Sequence, residues 1–300
     1  MHNMMVPRMS RRRLWLKAFA TAGAWCMVAG VRVPQAHAAL GSQAVSRRLR
    51  FTATFSNPLS RSLDKATFWF YLPRKEGMAQ TLRDVQVSAP FRLHSDAIDH
   101  TLLELPFENF PPLAQKVVNI SVEVLMQEGR AITSGKPDTW NRSERYIESD
   151  APEIVALATE LKRPSDADTA YAIYEWVSTH INYAGYLADD YGALYALERR
   201  RGDCTEYAYL ATALARASGL PARVVGGYVV SQDALPRAED YHNWAEVYFD
   251  GKWRLLDAQK QSWLKPAENY VAFRYYQAVA GNPLGSAHRF HMDGELAVRL

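Results

Sequence analysis

Cys204, His242 and Asp257 fall, in that order, in the last third of a 300-residue chain. A thiol, an imidazole and a carboxylate are the three side chains from which a nucleophile, its base and the group that orients that base are built. Gly202-Asp203-Cys204-Thr205-Glu206 opens an apolar run, Tyr207, Leu210, Ala211 and Leu214, at helical spacing, and Gly219-Leu220-Pro221 closes it. Cys204 is therefore expected in the first turn of a helix, with Asp203 as N-cap and Glu206 completing a capping box. The positive end of the helix dipole favours thiolate there, whereas the Asp203 carboxylate opposes it, so a cationic imidazole is needed to tip the balance.

Two runs rich in aromatic and aliphatic residues, Tyr241 to Phe249 and Lys252 to Ala258, flank Asp250-Gly251, the pair a type I′ hairpin turn prefers. With that turn Phe249 faces Lys252, Asp257 comes opposite Trp244, and His242, Trp244 and Asp257 share one face. Diagonal neighbours on a sheet are about 7 Å apart at the backbone, within reach of an Asp257 to His242 hydrogen bond.

Four blocks together resemble the transglutaminase-like superfamily of papain-fold cysteine enzymes. They are Gly202-Asp203-Cys204 with Tyr207 and Ala208, the run Leu214 to Tyr228, His242-Asn243-Trp244-Ala245-Glu246-Val247-Tyr248, and Trp253 with Asp257. The likeness runs from roughly Pro152 to Ala258. It implies Cys204 as nucleophile, His242 as general base and acid, and Asp257 as the orienting group. A lone cysteine is most often a small buried hydrophobe, and it is the coincidence of capped helix, hairpin and family blocks that points to catalysis instead. Tyr183 and the backbone N–H of Cys204 are candidates for an oxyanion site.

The elements that must position these residues divide the chain in two. Residues 1–38 hold Arg11-Arg12-Arg13, an apolar run from Ala18 to Val31 and an Ala36-His37-Ala38 end, the pattern of a cleaved export signal with a twin-arginine flavour. Cleavage removes Cys26, leaving Cys204 without a disulfide partner. It also removes six basic residues and no acidic one, so 35 basic and 32 acidic residues become a mature side-chain charge of about −3. No basic stripe interleaved with aromatics speaks for nucleic acid.

Period-two alternation at Leu49 to Phe55, Ala66 to Leu72 and Val118 to Met126, with weaker strands at Leu82 to Val87, Phe91 to His94 and Thr101 to Leu105, predicts a β-sandwich over 39–128. His94, Asp96, Asp99 and His100 lack metal-ligand spacing and are expected to form a polar loop. Residues 129–150 are polar and aperiodic and mark a linker. Within 151–300, helical stripes follow at Ile154, Leu157, Ala158 and Leu161, and at Ala170, Ile173, Tyr174, Val177 and Ile181 with Ser165 as cap. Ala222 to Val230 is expected as a strand with a bulge or close approach at Gly226-Gly227. Ser231 to Asp240 is a candidate rim. The aromatic tail, Trp263, Tyr270, Phe273, Tyr275 and Tyr276, is expected to cover the cleft's edge, and His288 and His291 to face solvent.

The fold class is thus α+β, an N-terminal β-sandwich followed by a papain-like transglutaminase-core domain. The expected activity is cysteine-dependent acyl transfer on amide bonds of peptides or proteins, with hydrolysis slightly favoured over transamidation because water is always present. The competing class is a non-catalytic binding or assembly module. No phosphate loop or calcium loop is present, so no cofactor or metal is expected. The expected setting is periplasmic or secreted, the substrate envelope-associated, and contact with the membrane confined to export.

Overall fold

The computed structural model describes residues 44–127, 137–279, 281–285 and 287–300. The expected export signal and Cys26 lie outside them.

Six strands come first: β1 (Val45–Ser56), β2 (Leu63–Leu72), β3 (Gln80–Val87), β4 (Arg92–Ser95), β5 (Thr101–Phe110) and β6 (Gln115–Met126). Then come α1 (Pro152–Leu161), α2 (Asp166–His180), β7 (Asn182–Tyr183), α3 (Ala193–Arg199), β8 (Arg201–Gly202) and α4 (Cys204–Ala217). The chain ends with β9 (Ala222–Val229), β10 (Tyr241–Phe249), β11 (Lys252–Asp257), β12 (Ser262–Trp263), β13 (Tyr270–Tyr275), β14 (Phe290–Asp293) and β15 (Ala297–Arg299). Mixed helix and sheet, with a β-rich amino-terminal region, make the fold α+β.

The alternating residues of β1, β2 and β6 do what period two requires. Leu49, Phe51, Ala53 and Phe55 are buried against Phe68 and Phe70 while their neighbours face out. Two four-stranded sheets result, in the orders β15-β1-β6-β3 and β14-β2-β5-β4. Strand pairing does not respect the boundary read from sequence: β14 and β15, from the segment assigned to 151–300, close the open edges of β2 and β1. Nor is the described part of 129–150 a free linker, because Trp140 and Ile147 are buried in the two cores.

A further, five-stranded sheet, antiparallel in the order β12-β11-β10-β9-β13, lies between the sandwich and the helices. One face, with Val224, Ala245, Val247 and Leu256, packs in a core with α1 to α4. The other, with Val225, Tyr228, Trp244 and Leu255, shares a core with the sandwich. Burial on both faces explains why β9 reads as an almost unbroken apolar run. The aromatic tail does not cover the cleft: Tyr270 to Tyr275 form β13, and Tyr270, Phe273, Tyr275 and Tyr276 are buried. The outer backbone of β13 is satisfied by sandwich side chains. Gln80 both donates to Ala272 O at 2.9 Å and accepts from Ala272 N at 2.6 Å, and His100 Nε2 accepts from Tyr275 N at 2.8 Å.

Candidate active site

The start of α4 is built as its sequence requires. Asp203 Oδ1 accepts from Thr205 N at 2.7 Å, and Glu206 Oε2 reaches back to Asp203 N at 3.1 Å. The same two carboxyls pin the approach segment, through Leu187 N to Asp203 Oδ2 and Tyr191 N to Glu206 Oε1, each 3.0 Å. Gly202 is required, since a Cβ there would sit 2.3 Å from Glu206 Cβ. At the far end Gly219 has φ +84°, Leu220 N donates to Ala215 O and Gly219 N to Arg216 O, a Schellman closure.

Asp250 and Gly251 both take positive φ, 51° and 71°, as a type I′ turn demands. The register runs from Phe249 opposite Lys252 to Ala245 opposite Leu256, the pairing anticipated from the turn. It brings His242 Nε2 to 2.6 Å from Asp257 Oδ2, both residues buried. Asp257 Oδ2 also accepts from the Tyr270 hydroxyl at 2.9 Å, and Oδ1 from Lys260 N at 3.0 Å. A carboxylate only accepts, so Nε2 carries the proton of the neutral ring and Nδ1 holds the lone pair. Tyr270, which sequence reasoning passed over as cleft cover, is a second support of the carboxylate. Burial, reinforced by Asp257, pushes its hydroxyl well above the ordinary tyrosine range and keeps it a donor.

Cys204, half-buried, joins two adjoining cavities. The first, of about 410 Å³, is lined by Tyr183, Cys204, His242, Glu239, Gln259 and Lys260, among others. The second, of about 710 Å³, is lined by Cys204, Asn243, Leu187, Asp190, His288 and Arg289, among others. The Ser231 to Asp240 segment supplies a wall of the first through Ala234, Leu235 and Pro236. It is clamped to the sandwich, with Ala234 N donating to Arg48 O at 2.9 Å and Arg50 N to Ala234 O at 3.0 Å. The glycines of β9 allow close approach as expected. A Cβ on Gly227 would lie 2.0 Å from Val271 O, and β13 bulges opposite, between Ala272 and Arg274.

The electrostatics depart from expectation at the sulfur. Burial first, then the Asp203 carboxylate, pushes the Cys204 thiol up to about 12, against the smaller opposing influence of the Asn243 backbone and the Thr205 side chain. The resting thiol is therefore protonated: a half-buried sulfur beside a carboxylate outweighs the helix terminus. Glu206, buried beside Asp203, is pushed up to about 7.

Residues 155–258 match the sequence model of the Transglutaminase-like superfamily. The chain carries a transglutaminase-like core. In fold, a candidate cysteine protease from Cytophaga hutchinsonii is similar at a TM-score of 0.61 and 19% identity, over 86% of this chain and 89% of that one. The periplasmic domain of TgpA from Pseudomonas aeruginosa matches at a TM-score of 0.37 and 17% identity, over 70% of this chain and 87% of that domain. No curated protein matches the chain by sequence.

Two histidine groups outside the transglutaminase-like core's Cys, His and Asp are more ordered than the sequence implies. His100 is buried rather than part of a polar loop: its Nδ1 donates to Asp96 Oδ2 at 2.7 Å while Nε2 accepts from Tyr275 N, and burial lowers its basicity. His288 is not solvent-facing alone, since its Nε2 lies 3.1 Å from Asp190 Oδ2 in the wall of the second cavity. Among the described residues no helix is long and apolar enough to cross a membrane.

Proposed function

We propose that the protein is an exported cysteine-dependent enzyme that transfers acyl groups from amide bonds of peptides or proteins of the cell envelope. The observation that carries this reading is the 2.6 Å bond between His242 Nε2 and Asp257 Oδ2, with His242 and Cys204 lining one cavity. Asp257 fixes the tautomer, so the Nδ1 lone pair is free to take the Cys204 proton as Sγ bonds to the carbonyl carbon. Collapse of the tetrahedral adduct expels the amine with the proton that His242 returns, leaving a thioester on Cys204. Water, or a second amine, then attacks with His242 as base and frees the thiol.

The leaving amine receives its proton from His242, which assigns the 410 Å³ cavity to the departing and entering groups and the 710 Å³ cavity to the acyl portion. The first has Glu239, Asp240, Gln259 and Lys260 at its edge. A polar rim admits water, and this supports hydrolysis slightly over transamidation. Export rests on the basic, apolar and small-residue pattern of residues 1–38.

The deciding experiment incubates the full mature chain with a glutamine-containing peptide and a primary amine and weighs the products. Hydrolysis is expected, recorded as loss of ammonia without amine incorporation, or as peptide cleavage, that vanishes in Cys204→Ala. Amine incorporation would reverse the order of the two activities. One observation favours the competing reading, a binding module: the thiol pushed up to about 12. A wild type whose products match those of Cys204→Ala would establish it.

A further inference from the structure

Asn243 follows His242 on β10 and, by the alternation of a strand, projects to the opposite side, toward the start of α4. It is buried, 6% exposed. Its Nδ2 donates to Thr205 Oγ1 at 3.0 Å and lies 4.0 Å from Cys204 Sγ. Thr205 Oγ1 accepts that bond, which turns the amide nitrogen toward the start of α4. One N–H of that amide is held by Thr205, and the same nitrogen makes a long contact with Cys204 Sγ.

We propose that Asn243 is a catalytic residue, the side-chain donor of the oxyanion site, working with the first-turn N–H of Cys204. This rests on Cys204 as nucleophile. When Sγ bonds to an acyl carbon, the S–H proton passes to His242 Nδ1 and the carbonyl π pair moves onto oxygen; Asn243 Nδ2–H donates to that charge. His242 and Asn243 line different cavities that meet at Cys204, so base and oxyanion donor flank the sulfur from two sides. The N–H of Cys204 has no acceptor within its helix, being one of the first-turn donors. Tyr183, the candidate suggested by sequence, is 59% exposed. A buried amide held by a second hydrogen bond is the better preorganised donor, since it needs no reorganisation as charge develops. Gly226 makes the placement possible: a Cβ there would lie 2.9 Å from Asn243 Oδ1.

The test compares two reactions of the same sulfur in the full mature chain. Acylation by p-nitrophenyl acetate builds an oxyanion, whereas alkylation by iodoacetamide does not. In Asn243→Ala and Asn243→Leu, acylation is expected to fall about 10²–10³-fold while alkylation of Cys204 stays within about threefold of wild type. Equal losses in both reactions, or acylation at the wild-type rate, overturn the proposal, as does a wild type that alkylates but is not acylated. Asn243→Ser keeps a hydroxyl toward Thr205 and serves if the larger changes unfold the chain, with the same split expected. Acylation that persists in Cys204→Ala would instead overturn the underlying nucleophile reading.

Discussion

The Cys204 thiol is held protonated by burial and by Asp203, and His242 is held by Asp257 with its Nδ1 lone pair free. In the proposed mechanism deprotonation is thereby coupled to bond formation rather than completed beforehand. Raising the pKa of an acid lowers its charged fraction at any given pH, so iodoacetamide alkylation at pH 7 is expected to be slower than for a free cysteine. The rate should still climb at pH 10, where an ordinary thiol has levelled off. Mass spectrometry of the modified chain against pH checks this; a plateau beginning near pH 5 would mean a preformed thiolate–imidazolium pair. Asp257→Asn keeps the shape but lets an amide nitrogen face Nε2, which selects the wrong tautomer. Loss of turnover by about 10⁴-fold is expected, read with whichever amide substrate the product assay identifies.

α4 and β9 are shaped by what their sequences forbid. Gly227 faces a backbone carbonyl, Val271 O, which cannot swing aside like a side chain. Gly227→Ala is expected to cost about 1–3 kcal/mol, measured by urea unfolding. At the head of α4, Glu206 is pushed up to about 7 from an unfolded value near about 4.3. Between those values the folded chain keeps a proton the unfolded chain has lost, so stability falls as pH rises through that window and levels off above it. Relative to Glu206→Gln, wild type should lose on the order of 1–3 kcal/mol between pH 5 and 8, the opposing rise from His100, whose basicity burial lowers, being common to both. Profiles of equal slope in the two proteins through this window would contradict the assignment.

The sandwich and the five-stranded sheet that carries His242 and Asp257 are joined through a shared apolar core and a polar stack. Arg223 and Glu246 are buried as an ion pair at 2.6 Å, and the guanidinium lies 3.8 Å from the ring centres of both Trp253 and Tyr275, with Arg74 3.7 Å over the other side of Tyr275. Removing one charge strands the other. Glu246→Ala is therefore expected to cost about 3–5 kcal/mol, and Arg223→Met with Glu246→Leu together less than the single change. Calorimetry on the three proteins checks the order. The common core and the return of β14 and β15 to the sandwich also predict one cooperative transition in the wild type.

Local rules made much of this protein legible in the chain itself. Capping chemistry at Asp203 and Glu206, turn chemistry at Asp250-Gly251, and period-two strands depend on neighbours a few residues apart, and from them came the helix start, the hairpin register and the pairing of His242 with Asp257. What lay beyond them depends on residues distant in sequence. The roles of Tyr270 beside Asp257, of Asn243 beside the sulfur, of Gln80 and His100 along β13, and of β14 and β15 in the sandwich leave no periodic trace, because each is a single contact made after the chain has turned back on itself. The charge state of Cys204 belongs to the same class: the helix dipole is written locally, whereas the desolvation that outweighs it arises only when the tertiary structure closes around the thiol.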